Sequence, residues 1–350
     1  MNQSREATPP FQLGLSGELR DADGNLRFQD IGLEILDDPA VTYRFFELDH
    51  VVRPEQIVGL DAVVSVHEHY TRAMFEQVDG LLAIICFGVG YDHVDVAACT
   101  EADVLLCNQR GVASNAMAES IVCWMLAMAH RMIDKDRLAR AGLWSQASDY
   151  NGFELRDRTL GIIGLGGIGG RLVEMLSGFR MNAPIGYDPY VDSQQAERIG
   201  VRWVALEELL QTADFVSICC PLSDKTRNLI GRDELRLMKR TACLINVARG
   251  GIVNEAALVE ALTEKRIAAA AVDVFDNEPA GPEHPYMELP NIVLAPHCIG
   301  WTGELFRDIG RMAFRQATRL AAGMIPDDVI NPDVLERAGF LHKLARFQSL

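Results

Sequence analysis

The sequence predicts an α/β protein built on a doubly wound parallel sheet. Three observations carry that expectation: from about Thr159 onward short apolar runs alternate with helical patterns, the runs are apolar on both faces, and 350 residues leave room for two cores. The runs lie at 159–163, 183–187, 215–220, 242–247, 269–275 and 292–295. Each is separated from the next by enough chain for a helix or loop, which reads as a series of βαβ units.

Two long apolar helices flank this block. One is expected over 116–132, with Ser114 or Asn115 as its N-cap. The other is expected over 303–322, capped by Thr302 and ended by Gly323 with Pro326 beyond it. The first hundred residues alternate more weakly, with strand-like runs at 63–66, 81–86 and 104–107. The expected layout is one domain over 112–302, inserted into a second made of 1–111 and 303–350.

Composition narrows the function classes. With 33 Lys and Arg against 49 Asp and Glu, the net charge is −16 and no basic block exists. Nucleic acid and anionic membrane are therefore not expected as partners, since both need a basic face. The first twenty residues lack the apolar stretch of a signal peptide, and the strongest apolar run, 121–129, is half of what a bilayer needs. A soluble, cytoplasmic protein is expected. The eight cysteines form no C-x-x-C pair, so neither a disulfide framework nor a metal site is expected.

The first chemical motif is Gly164-Leu165-Gly166-Gly167-Ile168-Gly169, directly after the apolar run at 160–163 and opening a helical segment from Gly170 to about Phe179. In that setting Gly164 permits the tight turn and Gly166 lets the backbone approach a pyrophosphate. Gly169 allows close helix–strand packing, and the helix N-terminus favours the phosphates. Asp188 ends the second strand about 20 residues on, where a ribose-binding acid belongs. Pro189-Tyr190 follow it without an arginine, so NAD is expected rather than NADP.

In a doubly wound sheet, ligands sit off the carboxyl ends of the strands. The polar residues there are Arg249, Asp273 with Glu278 just beyond, and His297. Reduction of a 2-oxo acid needs a hydride, a proton and a cation for the carboxylate. His297 suits the proton, Glu278 would support the imidazolium, and Arg249 offers a planar fork for the carboxylate and carbonyl.

These segments resemble the D-2-hydroxyacid dehydrogenase family. The likeness runs through Phe87-Gly88-Val89-Gly90-Tyr91-Asp92, Asn115 with Ala118-Glu119, Gly142-Leu143-Trp144 and the glycine loop. It continues in Cys220-Pro221-Leu222, Asn246-Val247-Ala248-Arg249-Gly250-Gly251, Val272-Asp273-Val274-Phe275 with Glu278-Pro279, and Pro296-His297-Cys298-Ile299-Gly300-Trp301. The resemblance implies two Rossmann-like domains, a doubly wound NAD-binding domain inserted into a flavodoxin-like substrate domain. It implies that Arg249, Glu278 and His297 are catalytic and that the Val89-Gly90 backbone helps hold the substrate carboxylate. NAD contacts are implied at Gly167, Ile168, Asp188, Cys220, Pro221, Val247, Ala248 and Asp273, with Arg249 and His297 bordering both ligands. A homodimer is implied, with the helix after Asn115 in its interface.

The sequence also departs from the family. Ser120 follows Glu119 where many members carry histidine, which points to packing at the interface. The segment Ser65-Val66-His67-Glu68-His69-Tyr70 reads as a substrate loop, where the acid Glu68 disfavours a phosphorylated substrate. The 350-residue length leaves no room for an appended regulatory domain, a second argument against a phosphoglycerate-type enzyme. His67 and His69 share one side of an extended segment but lack a third metal ligand. The alternative function is a non-catalytic NAD(H)-sensing protein resembling the dehydrogenase-like corepressors, which would not need Arg249, Glu278 and His297 together. A formate-type enzyme is disfavoured, because Pro296 and Cys298-Ile299-Gly300 stand where those members place Gln and Ser-Gly.

Overall fold

The computed structural model describes residues 9–28, 30–47 and 49–348. The chain divides into two compact units, residues 1–113 with 302–350 and residues 114–301.

The first unit opens with β1 (Phe11–Ser16), β2 (Val41–Phe46), α1 (Pro54–Ile57) and β3 (Ala62–Ser65). It continues through α2 (Arg72–Phe75), β4 (Ala83–Cys86), α3 (Val96–Glu101) and β5 (Leu105–Cys107). Its parallel sheet has the order β2-β1-β3-β4-β5. All four residues of β3 and of β4 are buried, as expected of strands covered on both faces.

The second unit begins with α4 (Ser114–Ala129) and α5 (Met132–Arg140), then β6 (Leu160–Ile163), α6 (Gly167–Leu176), β7 (Ile185–Tyr187), α7 (Ser193–Arg198) and β8 (Arg202–Trp203). After α8 (Leu206–Thr212) come β9 (Phe215–Ile218), α9 (Arg232–Leu237), β10 (Cys243–Asn246), α10 (Glu255–Thr263), β11 (Ala269–Val272) and β12 (Ile292–Leu294). The parallel sheet runs β12-β11-β10-β9-β6-β7-β8. Along β6, Ile163 packs with Leu209, Leu210 and Val216 on one face. Its neighbour Ile162 packs with Ile121, Trp124 and Leu172 on the other. Each such side chain, fully removed from water, contributes about 1.5–3 kcal/mol.

The chain then returns to the first unit as α11 (Gly303–Ala321) and α12 (Ala338–Ala345). The Thr302 side chain accepts the Leu305 N–H and caps α11. The return is tied in by buried polar groups. Asn331 Oδ1 accepts the Leu106 N–H at 2.8 Å, and Lys343 Nζ donates to the carbonyls of Leu81, Ala102 and Asp103 at 2.9–3.2 Å.

One expected helix is two. The stretch expected over 116–132 ends at Ala129, Arg131 turns left-handed at φ 51°, and α5 starts at Met132. Ser114 lies inside α4 rather than capping it. The apolar pattern runs on past the break, so it carries no mark of it.

Candidate active site

β6 delivers the chain to Gly164, whose φ of +96° belongs to the left-handed region. A Cβ there would stand 2.6 Å from the Cys220 nitrogen, so the turn needs glycine on both counts. Gly166 is the N-cap of α6 and makes no side-chain cap bond. A Cβ on Gly166 would meet nothing within 4 Å, so open space lies where backbone N–H groups and the helix dipole converge. Gly167, Ile168 and Gly169 form the first turn of α6.

Asp188, just after β7, accepts the Leu165 N–H at 2.9 Å on Oδ2 and the Tyr190 N–H at 2.8 Å on Oδ1. Each oxygen keeps a lone pair for a ribose hydroxyl. Beside β6, Cys219 N–H donates to the Ile163 carbonyl at 2.7 Å, which places Cys220 and Pro221 at the same sheet edge. The glycine cradle, the uncapped helix start and the carboxylate fit a dinucleotide.

Arg249, Glu278 and His297 all lie beyond the carboxyl ends of β10, β11 and β12. His297 Nδ1 stands 2.6 Å from Glu278 Oε2, while Glu278 Oε1 accepts the Phe275 N–H at 2.8 Å. Burial pushes the Glu278 carboxyl up. The His297 hydrogen bond, the Phe275 N–H and the charges of His297 and Arg249 outweigh that burial and hold it below the ordinary carboxylate range. Arg249 Nη1 donates to the Ala248 carbonyl at 2.7 Å.

Sequence reasoning assigned no role to Asn246. Its Nδ2 donates to the Arg249 carbonyl at 3.0 Å and its Oδ1 accepts the Ala248 N–H at 3.1 Å, folding Val247–Arg249 back on the strand end. An asparagine closing an apolar strand was the available signal.

Asp273 is 2% exposed and holds the turn that carries His297. Its carbonyl accepts the His297 N–H at 2.8 Å, and its Oδ1 accepts the N–H groups of Cys298 and Ile299 at 2.9 and 3.1 Å. Burial raises its carboxyl from the ordinary 3.8 to about 6 against those hydrogen bonds and the nearby His297 charge.

Val89 and Gly90 lie in the first unit, after β4. Val89 is 41% exposed, and its carbonyl accepts from Asn108 Nδ2 at 2.6 Å. Gly88 N–H donates to Gln109 Oε1 at 2.7 Å, and Gln109 is braced in turn by Gln316 at 2.9 Å. Glu68 is not offered to a ligand. It is 1% exposed and accepts from Ser16, from Ser65 at 2.8 Å and from the Val66 N–H at 2.9 Å, so it gives no ground for disfavouring a phosphorylated substrate. His67 pairs with Glu18 at 2.8 Å, and the His69 ring packs against His50 with centroids 4.5 Å apart. Ser120, expected to touch interface packing, is buried and hydrogen-bonds inside the second unit.

A family model described as D-isomer specific 2-hydroxyacid dehydrogenase, NAD binding domain, matches residues 122–298. A glyoxylate reductase of Aeropyrum pernix is 38% identical over 270 residues, covering 75% of this chain and 80% of that protein. A D-3-phosphoglycerate dehydrogenase of Methanocaldococcus jannaschii is 38% identical over 79% of this chain, which spans 53% of that protein. The crystal structure of an NAD-dependent formate dehydrogenase from Staphylococcus aureus in complex with NAD is 28% identical, with a TM-score of 0.78 over 91% of this chain and 99% of that one. The protein is therefore a member of the D-isomer specific 2-hydroxyacid dehydrogenase family, an NAD-dependent enzyme whose NAD-binding domain includes the matched residues.

Proposed function

We propose that the protein interconverts a small D-2-hydroxy acid and its 2-oxo acid with His297 as proton donor and acceptor. Glu278 supports the imidazole, and Arg249 binds the carboxylate and carbonyl oxygens. The observation that carries this reading is the 2.6 Å approach of His297 Nδ1 to Glu278 Oε2. A carboxylate accepts only, so Nδ1 carries a hydrogen and Nε2 is the ring nitrogen left to exchange a proton with substrate.

Reduction adds a hydride to C2 and a proton to O2 of the 2-oxo acid. Bound NADH supplies the hydride. His297 Nε2–H hydrogen-bonds the carbonyl oxygen and releases its proton as negative charge grows there; in oxidation Nε2 takes the hydroxyl proton. The Glu278 carboxylate, held ionised at neutral pH, compensates the positive charge of the imidazolium. Arg249 contributes parallel N–H donors that orient the carboxylate and polarise the carbonyl. The Val89 and Gly90 backbone is proposed as further support for the carboxylate, favoured by the exposed loop and its brace through Asn108.

A homodimer belongs to the same proposal, supported by a recess on α4 and α5 where Cys123, Leu126, Ala127 and Met132 lie beside His130, Lys135 and Asp136; sedimentation of the full chain tests it. A cytoplasmic setting is supported by eight free cysteines, and no helix among the described residues is long and apolar enough to cross a membrane.

The test of the chemistry is NADH oxidation against a panel of 2-oxo acids, with His297→Ala run beside the wild type. Turnover that drops about 10²–10⁴-fold in the variant is the expected result. NADH binding without reduction of any acid, or a variant as fast as wild type, overturns the proposal.

A further inference from the structure

Three features of the second unit meet at the turn that follows β12. His297 has φ +51°, a left-handed conformation uncommon for a residue with a Cβ. From the sheet side the turn is held by Asp273, through the hydrogen bonds to the His297, Cys298 and Ile299 N–H groups. From the opposite side it is held by α4. Ser120 Oγ stands 2.9 Å from the Ile299 carbonyl and 2.7 Å from the Ala116 carbonyl, with Ser120 6% exposed. The Ala116 carbonyl lies in the hydrogen-bond ladder of α4, whereas the Ile299 carbonyl lies outside any helix or strand. The hydroxyl hydrogen is therefore worth most to Ile299. One turn earlier on α4, the Met117 sulfur fills the space that a Cβ on Gly300 would need, so helix and turn touch directly.

The same helix reaches the phosphate-binding end. Asn115 Oδ1 accepts from Arg171 Nε of α6 at 2.9 Å, and Ser114 Oγ lies 2.6 Å from where a Cβ on Gly167 would stand.

We propose that Ser120 is a positioning residue for His297: with Met117 it seats the 298–300 turn on α4, and α4 thereby sets the spacing between the dinucleotide cradle and the proton-transferring imidazole. The inference rests on the reading of His297 as proton donor. Ser120 touches neither substrate nor cofactor, so its effect passes through the backbone of the turn. Losing its donor deprives the part-buried Ile299 carbonyl of its bond to α4, and the turn relaxes away from the helix. The imidazole then meets the carbonyl oxygen in a poorer geometry, while the glycine loop and Asp188 stay as they are.

The experiment compares wild type, Ser120→Ala and Ser120→Thr, the last keeping a hydroxyl. The readouts are kcat and KM for the best 2-oxo acid, NADH affinity by fluorescence, the pH profile, and the ring NMR signals of His297 identified by their absence from His297→Ala. Expected for Ser120→Ala is a kcat about 10-fold lower, a displaced His297-dependent limb of the pH profile and moved His297 ring signals, with NADH affinity within about 2-fold of wild type. Ser120→Thr is expected to recover most of the kcat. Unchanged kcat and unchanged His297 signals in Ser120→Ala overturn the proposal, as does a loss confined to thermal stability or NADH affinity. A wild type whose turnover is indifferent to His297→Ala sinks the proton-donor reading instead, and the two failures are told apart by that variant.

Discussion

In the first unit the strand order reverses between β1 and β3; in the second it reverses between β6 and β9. Parallel sheets open a crevice at such points, and ligands settle there. In the first unit β1 ends on Ser16 and β3 on Ser65, and both hydroxyls donate to the Glu68 carboxylate together with the Val66 N–H. In the second unit β6 runs into Gly164, and the start of α6 lies open beside Gly166. The two sheets thus meet the same need for a negative group in opposite ways. One places its own carboxylate in the crevice and closes it, and the other leaves the place to the phosphates of a cofactor. The difference shows that the same reversal of strand order can be closed by a buried acid or left open at a helix start.

Four substitutions break or sharpen this contrast. The largest effect is expected from Glu68→Ala, which strands two hydroxyls and one N–H and should lower stability by about 4 kcal/mol in urea unfolding. A variant as stable as wild type would show that the carboxylate is not what fills the crevice. Next comes Asp273→Asn, which asks whether the second unit also keeps a buried acid at a cost. The folded carboxyl sits at about 6 against an ordinary 3.8, so its contribution to stability is present below about pH 4 and is lost as the pH rises through 6. That difference corresponds to roughly 3 kcal/mol. The Asn variant should gain on wild type by up to that amount between pH 4 and 7; parallel unfolding curves would contradict it.

Gly166→Asp imitates the first unit in the second. Gly166 already has an extended φ of −78° and space for a Cβ, so the aspartate can cap α6 without strain. NADH affinity should fall about 10²-fold, or close to 3 kcal/mol, while the melting temperature holds or rises slightly. Undiminished binding would mean that the phosphates lie elsewhere. The smallest change is expected for Glu68→Gln, which keeps an acceptor and should cost about 1 kcal/mol.

The second unit was the more legible in the sequence, because its strands are uninterrupted apolar runs followed at once by glycine or polar residues. Phe11–Ser16 and Val41–Phe46 escaped notice: Gly14 interrupts the first, and Thr42 and Arg44 give the second an edge-strand mixture. The alternation of β8, only two residues long and exposed, carries no periodic signal. Among site residues, the approach of His297 to Glu278 was anticipated from strand ends alone. Ser120 gives no sign in the sequence of its contact with Ile299, which lies 179 residues away, beyond any local pattern. Glu68 was misread for a related reason. Charge suggests exposure, and only the strand ends at Ser16 and Ser65, brought together by the sheet, give a buried carboxylate its donors.

The bonds from Asn331 to Leu106 and from Lys343 to Leu81, Ala102 and Asp103 join residues more than two hundred positions apart. The second unit is continuous in the chain and can complete its core as soon as residue 301 has emerged during synthesis. The first unit, begun earlier, waits with β5 and the α3 region lacking their last partners until the inserted unit has been made. Its sheet can pair early, but the bonds that finish β5 and the α3 region come only after the inserted unit has been made.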